Sequence, residues 1–164
     1  MWQFLMIIII LVCGTLLGCS FSQGVVNRRK TLEGIIESLE KMKTYIEFSS
    51  MEIFEISKRS FENLRGFSDF TRIPEDVTFI LWWSKCVSSL GCETGLLKED
   101  KDLLIRFSNG IGVSDVSGQI SHIDLYISMF CEKVRLARDE EEKKSRLYKI
   151  LGFSFGCAVS LIIV

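Results

Sequence analysis

The charged residues of this chain are confined to its middle. All 20 basic and 21 acidic side chains lie between Arg28 and Lys149, so residues 1–27 and 150–164 carry no charged side chain. About one residue in three is charged in that middle, although the whole chain is 25% charged and 48% hydrophobic, as in an ordinary globular protein. The distribution therefore predicts a polar domain between two apolar ends.

The composition excludes two broad classes of protein. A net charge of −1 provides no basic surface of the kind that nucleic acids require. Twelve Phe, three Trp and three Tyr are too many large apolar residues for a disordered chain. A middle segment of about 120 residues is long enough to bury its own core. We therefore expect a folded domain that does not bind nucleic acid.

Both apolar ends are predicted to cross a membrane. Residues 2–21 are uncharged, and as a helix they span about 30 Å, the thickness of the hydrocarbon core of a bilayer. The last 15 residues are also uncharged, and Lys149 beside them can extend its amine to the interface. The sequence predicts transmembrane helices over residues 1–22 and 147–164, with a helical domain over residues 23–146.

The basic residues beside these segments predict their orientation. Each apolar end is flanked on its inner side by basic residues, and cytoplasmic flanks are the ones enriched in Lys and Arg. The first segment is followed by Arg28, Arg29 and Lys30, and the second begins after or among Lys143, Lys144, Arg146 and Lys149. We therefore expect a multi-pass protein of the cell membrane whose middle domain is cytoplasmic.

A lipoprotein is the alternative interpretation of the amino-terminal end. Leu16-Leu17-Gly18-Cys19 has the small-residue-then-cysteine pattern of a bacterial lipoprotein signal, in which Cys19 would be lipidated after cleavage. Such a protein would face outward. Secretory signals begin with a basic region, however, and Met1-Trp2-Gln3-Phe4 has none.

Each apolar end also contains a Gly-x-x-x-Gly pattern. Gly14 with Gly18, and Gly152 with Gly156, place two glycines on one face of a helix. Another helix backbone can approach such a face closely. The pattern predicts that the membrane helices pack on each other or, in a homo-oligomer, on a second copy.

Helical periodicity begins directly after the first apolar end. Apolar residues recur there at intervals of three and four, which is typical of one buried helix face. The members of this stripe are Leu32, Ile35, Ile36, Leu39, Met42 and Ile46. The pattern continues less regularly through Phe48, Met51, Ile53, Phe54 and Ile56, and a break in the helix is predicted near Ser49-Ser50.

Two shorter helices are predicted in the middle of the domain. Pro74 opens the first, because the fixed φ of proline suits the first helical position, and this helix fades by Gly91. Within it, Trp82-Trp83 predicts one ring in the core and one at the rim. Lys98–Phe107 is the second helix, with Leu103, Leu104 and Phe107 on one face.

The last helix is predicted to be very long. It starts near Gly118, where Ser114 or Asp115 can cap its first turn, and it continues into the second apolar end. Its apolar residues are Ile120, Ile123, Leu125, Ile127, Phe130, Val134 and Leu136. Its acid-first charge pairs are Asp139 with Lys143, Glu140 with Lys144 and Glu142 with Arg146. Because no strand alternation appears anywhere, the predicted fold class is all-α.

The residue types that carry catalysis are not arranged for it in this sequence. His122 has no companion at metal-ligand spacing, and the spacing of Cys86 and Cys92 matches neither zinc nor redox motifs. Cys131 lies nine residues beyond His122, about 13 Å along a helix, which is too far to share a proton. An alternative interpretation is that a small polar site is lined by Asp115, Gln119 and His122. We predict no enzyme activity, no metal and no cofactor.

The residues between Leu97 and Ile123 resemble one family. Leu97, Glu99-Asp100, Leu103-Leu104 and Phe107 lead into Gly112, Ser114-Asp115, Gly118-Gln119 and Ile123. This order is similar to the leucine-rich helix and the following Gly-x-Ser-Asp and Gln elements of the stage III sporulation protein AB family of endospore-forming bacteria. Leu151-Gly152 and Gly156 fit its terminal membrane helix, whereas Met51-Glu52 and Tyr45 depart from the family pattern.

The resemblance implies a fold and a function. The fold is an antiparallel bundle of about five or six helices between the two membrane helices, similar to the cytoplasmic domains of inner-membrane platform proteins of type II secretion and type IV pilus machines. The implied function is that of a non-enzymatic platform in the channel complex that links mother cell and forespore.

The implied partner is a secretion-type ATPase, stage III sporulation protein AA, together with other proteins of the same complex. An ATPase partner needs a contact surface away from the two anchors. We therefore predict that the contact lies near Asp115 and Gln119, at the tip of the domain farthest from the membrane.

Overall fold

Two long helices at the ends of the chain organise the fold. In the computed structural model, the backbone is described for residues 2–73 and 76–163, and the side chains for residues 24–73, 76–144 and 147. Five α-helices and three short 3₁₀ turns account for the regular structure, and no strand occurs in these residues. The all-α prediction is therefore confirmed. The helices are α1 (Trp2–Phe48), α2 (Ile53–Phe61), α3 (Phe79–Ser89), α4 (Lys98–Phe107) and α5 (Val116–Ile163).

Helices α1 and α5 form an antiparallel hairpin. Four ion pairs join them, and in three of these residue numbers rise along α1 as they fall along α5: Arg29 with Glu141 at 2.7 Å, Glu33 with Arg138 at 2.7 Å, and Lys43 with Asp124 at 2.7 Å. We call the end where residues 24 and 144 lie the proximal end. We call the end where α1 stops and α5 starts the distal end. Both apolar segments of the sequence thus begin at the proximal end.

The three short helices pack along this hairpin. Helix α2 starts at the distal end and runs down α1, where Leu64 reaches Gly34. Helix α3 also starts near the distal end and runs toward the proximal end. The ring of Phe79, its first residue, lies 5.5 Å from that of Phe54 in the first turn of α2. The 3₁₀ turn Cys92–Thr94 then reaches the proximal end, where the hydroxyl of Thr31 donates to the carbonyl of Thr94.

Helix α4 returns to the distal end. Asp100 in its first turn contacts Arg28, and Phe107 in its last turn stacks on His122 of α5 at 5.6 Å. Neighbouring helices in the pairs α1–α5, α1–α2 and α3–α4 are therefore antiparallel.

The core forms where the apolar stripe of α1 meets the aromatic residues of the short helices. The predicted stripe is confirmed: Leu32, Ile35, Leu39 and Met42 are fully buried, and Ile46 nearly so. Against it lies a cluster of interlocking rings. Its buried members are Phe61, Phe67, Phe70, Trp82, Trp83 and Phe107. The indole N–H of Trp83 donates to the carbonyl of Leu104 at 2.7 Å, so its one polar group is satisfied.

Several predictions about individual residues are wrong. Helix α3 starts at Phe79, not at Pro74, which lies outside the described residues; Thr78 is still extended, with ψ 148°, and its carbonyl accepts the first helical bond, from Trp82. Trp82 and Trp83 are both buried, because rings surround them on either side. Phe48, Leu125 and Leu136 are exposed.

The exposed residues have a common explanation. Periodicity places Leu125 and Leu136 on α5, but α1 and α4 cover only one side of that helix. The other side therefore faces solvent, although it carries apolar residues. Phe48 is the last residue of α1, and its ring is exposed.

The predicted membrane segments, 1–22 and 147–164, lie almost wholly outside the residues whose side chains are described. Among the described residues, no helix is both long and apolar enough to cross a membrane. Helices α1 and α5 each continue without a break from the bundle into these segments.

Candidate functional site

The two residues predicted to contact a partner lie together at the distal end. Asp115 caps α5, because its Oδ1 accepts the backbone N–H of Gly118 at 3.0 Å. Gln119 holds the preceding loop: its Nε2 donates to the carbonyl of Ser114 at 3.0 Å, and its Oε1 accepts the N–H of Gly112 at 3.3 Å. Both side chains therefore shape the loop at the tip, and their contact with a partner stays a prediction.

Large apolar side chains are exposed at this end of the bundle. Phe48 is 78% exposed and Val113 is 77% exposed, the highest values among the large apolar residues that the structure describes. Val116, in the first turn of α5, is 49% exposed. The periodic pattern does not reveal this surface, because it assigns Phe48 to the buried face of α1. The predicted break at Ser49-Ser50 could have indicated the exposure of Phe48, because a residue at the end of a helix has fewer neighbours to bury it.

His122 is part of the core rather than of a polar site. Its Nε2 lies 2.9 Å from the carbonyl oxygen of Phe107, and its ring packs on Phe107 and, at 4.8 Å, on Tyr126. The imidazole therefore ties α5 to the end of α4. The alternative site of Asp115, Gln119 and His122 is not assembled, because His122 faces the core whereas Asp115 is exposed.

The three cysteines with described side chains are free thiols. Cys86 is buried, and this burial raises the pKa of its thiol to about 11. Cys92 and Cys131 are exposed. Within the described residues, no group of His, Cys, Asp and Glu is arranged to hold a metal ion. The predicted packing residues Gly14, Gly18, Gly152 and Gly156 lie outside the residues whose side chains are described.

The most completely buried charge lies at the proximal end. Asp100 is fully buried, and Arg28 binds it through two hydrogen bonds, Nε to Oδ2 at 2.8 Å and Nη2 to Oδ1 at 3.1 Å. Oδ2 also accepts the backbone N–H of Leu97 at 3.0 Å, so the carboxylate closes the first turn of α4. The hydrogen bond to Asp100 raises the pKa of Arg28 above its ordinary value, although burial opposes its charge.

Further charges extend this pair into a network across three helices. Glu140 of α5 lies 3.4 Å from Nη1 of Arg28, and Lys133 bonds Glu99 of α4 at 3.1 Å. Arg29 bridges Glu33 and Glu141 at 2.8 and 2.7 Å. Glu140 and Glu141 therefore bond arginines of α1 at the point where both long helices leave the bundle.

The sequence pattern alone does not reveal the buried pair of Arg28 and Asp100. It marks Arg28 only as a basic flank of the apolar segment, and Asp100 only as part of the start of a helix. A signal was present: Asp100 precedes Leu103, Leu104 and Phe107 at intervals of three, four and seven, so it shares their buried face. The identity of its partner required the tertiary structure.

Comparison with known proteins identifies the family. The chain matches the family described as Stage III sporulation protein AB over residues 3–164. No curated protein and no solved structure is significantly similar to it. The match covers the apolar ends, the helical bundle and the elements around Asp115 and Gln119 whose order resembles that family. The chain therefore belongs to the stage III sporulation protein AB family.

Proposed function

We propose that this sporulation protein is a non-enzymatic membrane platform in the channel complex that links mother cell and forespore. Two membrane helices anchor it, its helical bundle lies in the cytoplasm of the mother cell, and it couples to a secretion-type ATPase, stage III sporulation protein AA. Membership of the sporulation family supports the process. The mode of action is the one that the family resemblance implies, a platform like those of secretion and pilus machines, and it is an analogy of fold.

The antiparallel hairpin of α1 and α5 is the observation that carries this proposal. It brings both apolar segments to the proximal end and leaves the distal end at the opposite side of the bundle. A chain anchored twice at one end holds its far end at a constant distance from the bilayer. From Lys43 to Arg29 alone, α1 rises about 21 Å. A platform needs this geometry, because its partner must be met at a defined height.

The positions of the reactive side chains agree with a scaffold role. His122 is engaged with the carbonyl of Phe107, and Cys86 is buried with a raised pKa. Neither side chain is placed to act on a substrate. We assign the ATP-driven step to the partner and the positioning to this chain.

Membrane topology tests the proposal against the lipoprotein alternative. A variant that keeps only Cys131, which is exposed, reports the side of the membrane on which the bundle lies. A membrane-impermeant maleimide is added to intact cells and to permeabilised cells, and the labelled chain is detected after gel separation. We expect labelling only after permeabilisation.

The other result would overturn the proposal. Labelling of Cys131 in intact cells would place the bundle outside, where it meets no ATPase, and would favour lipidation of Cys19. Mass measurement of the mature amino terminus then provides the second criterion, because lipidation at Cys19 removes residues 1–18.

A further inference from the structure

The distal end combines the most exposed large apolar residues that the structure describes with several exposed acidic residues. Phe48 lies about 7 Å beyond Lys43 along α1, and Val116 lies about 12 Å beyond Asp124 along α5. Because Lys43 and Asp124 are bonded at 2.7 Å, Phe48 and Val116 lie within about one helical turn of each other along the bundle axis. Val113, in the loop that leads into α5, adds a third exposed apolar side chain.

The charges on the two segments that carry these residues are acidic, and Arg106, in the last turn of α4, is an exposed cation at the same end of the bundle. Glu47, Glu52 and Asp115 are exposed at this end, and neither Glu47 nor Glu52 has an ion-pair partner within the described residues. No Lys or Arg occurs between residues 44 and 57 or between residues 107 and 132. The nearest basic residue on α1, Lys43, is already neutralised by Asp124. These two segments of the distal end therefore present carboxylates without a Lys or Arg of their own.

A set of exposed apolar side chains bordered mainly by charges of one sign is typical of a protein docking surface. The apolar side chains stabilise the bound state by leaving water, and the surrounding charges select the partner and speed encounter. The anchors proposed at the proximal end leave the distal end free for this purpose. The partner must then carry the complementary chemistry, which is an apolar pocket bordered by Lys or Arg.

We infer that the distal end, formed by Phe48, Val113 and Val116 with Glu47, Glu52 and Asp115, docks a basic, apolar-lined face of the partner ATPase. This inference rests on the proposed function and adds to it the contact residues and the charge of the partner's surface. Asp115 contributes its charge while it caps α5, so Glu47 and Glu52 are the cleaner positions for a test.

The test measures binding of the purified ATPase to the full chain in lipid nanodiscs. Glu47→Lys with Glu52→Lys reverses the charge without removing a helix cap, because Glu52 forms no side-chain cap bond at the start of α2. Phe48→Ser removes the most exposed ring. We expect each variant to weaken binding about tenfold or more. We also expect the parent complex, but not the charge-reversed one, to weaken strongly as salt is raised.

Matched controls separate docking from general effects of charge and polarity. Glu37→Lys reverses an exposed acid on the same helix, about 15 Å from Glu47. Leu136→Ser removes an exposed apolar residue, 44% exposed, from the middle of α5. Both should bind within about twofold of the parent. Equal helical content and melting temperature in every variant show that the bundle is intact.

The outcomes are distinguishable. If the parent binds and the distal variants bind as the controls do, the docking inference is overturned while the proposed function stands. If charge reversal strengthens binding, the partner's face is acidic and the inference fails in its sign. If the parent itself does not bind the ATPase, the proposed function and the inference both fail.

Discussion

Arg28 and Asp100 acquire their roles from burial. On a surface, such a pair contributes about 1 kcal/mol or less, because water competes for both charges. Here the carboxylate is fully enclosed, and its oxygens accept hydrogen bonds from Arg28 and from the backbone of Leu97. Losing one partner would leave the other charge buried without its main ligand. Substitution of either residue is therefore expected to disrupt the packing of α4 against α1.

Replacing Arg28 should be far more damaging than replacing its neighbour. We expect Arg28→Met to lower the free energy of unfolding by about 3–5 kcal/mol, because it leaves the buried carboxylate of Asp100 without its main partner. Arg29→Met, at a partly exposed position, should cost about 1 kcal/mol or less. Urea unfolding of the detergent-solubilised chain, followed by circular dichroism, measures both. Equal losses would show that Asp100 is not buried as a charged group.

The thiol of Cys86 should be protected from alkylation. Its pKa is raised to about 11 by burial, so almost none of it is thiolate at pH 8, the reactive form. We expect iodoacetamide at about pH 8 to modify Cys92 and Cys131, which are exposed, long before Cys86. Peptide mass spectrometry at several times measures the three rates, and denaturant should equalise them. Equal rates in the folded chain would contradict the burial of Cys86.

At the scale of elements, the turn after α3 determines how closely the short helices approach the hairpin. Gly95 follows the 3₁₀ turn Cys92–Thr94 and has φ +69°, a conformation that favours glycine. A Cβ there would lie 2.5 Å from the carbonyl oxygen of Gly24 and 2.6 Å from the backbone nitrogen of Arg28. Only the absence of a side chain lets this turn rest on the backbone of α1.

Gly95 and Gly112 provide a matched pair of substitutions. We expect Gly95→Ala to destabilise the bundle by about 3 kcal/mol, because the strain of a positive φ adds to a clash with backbone atoms. Gly112 has φ +79°, but an added methyl group would meet no neighbouring atom within 4 Å, so Gly112→Ala should cost only about 1 kcal/mol. Thermal melting of the two variants compares them directly. The interpretation fails if Gly112→Ala is the more destabilising.

At the scale of the whole molecule, the antiparallel hairpin places two different surfaces at opposite ends of one axis. Both apolar segments and the charge network of Arg28, Asp100 and Glu140 lie at the proximal end. The exposed acidic and apolar surface lies at the distal end. Because α1 and α5 are continuous helices, a displacement at one end would be carried to the other with little bending. This arrangement suits a protein that holds a partner at a distance from a membrane.

Cross-linking tests the register of the hairpin. In a chain without other cysteines, Lys43→Cys with Asp124→Cys should react rapidly with a short bis-maleimide, because the two native side chains are bonded. Lys43→Cys with Glu141→Cys should not react, since residues 124 and 141 are about 25 Å apart along α5. Gel mobility of the cross-linked chain is the measurement. Efficient reaction of the second pair would contradict the antiparallel register.

Local patterns were sufficient for much of the fold. The stripe from Leu32 to Ile46 and the helix Lys98–Phe107 were predicted correctly, and Asp115, which caps α5, is one of the two predicted candidates, Ser114 and Asp115. Each of these features depends on residues within a few turns of one another. The family was also recognisable from residues between Leu97 and Ile123. The start of α3 was predicted five residues too early. The preference of proline for the first position of a helix led to Pro74, whereas Thr78 is still extended and the helix begins at Phe79.

Some features of this protein thus depend on residues that are neighbours in the sequence, and others depend on contacts between distant parts of the chain. The amino-acid sequence by itself determined the all-α class, the helix that contains Lys98–Phe107 and the separation of a charged middle from apolar ends, because periodicity and charge are properties of neighbouring residues. Only the tertiary structure decided that Arg28 is buried against Asp100 and that Phe48 is exposed. Those outcomes depend on which helices meet, and residues 72 positions apart along the chain meet only after the bundle has closed.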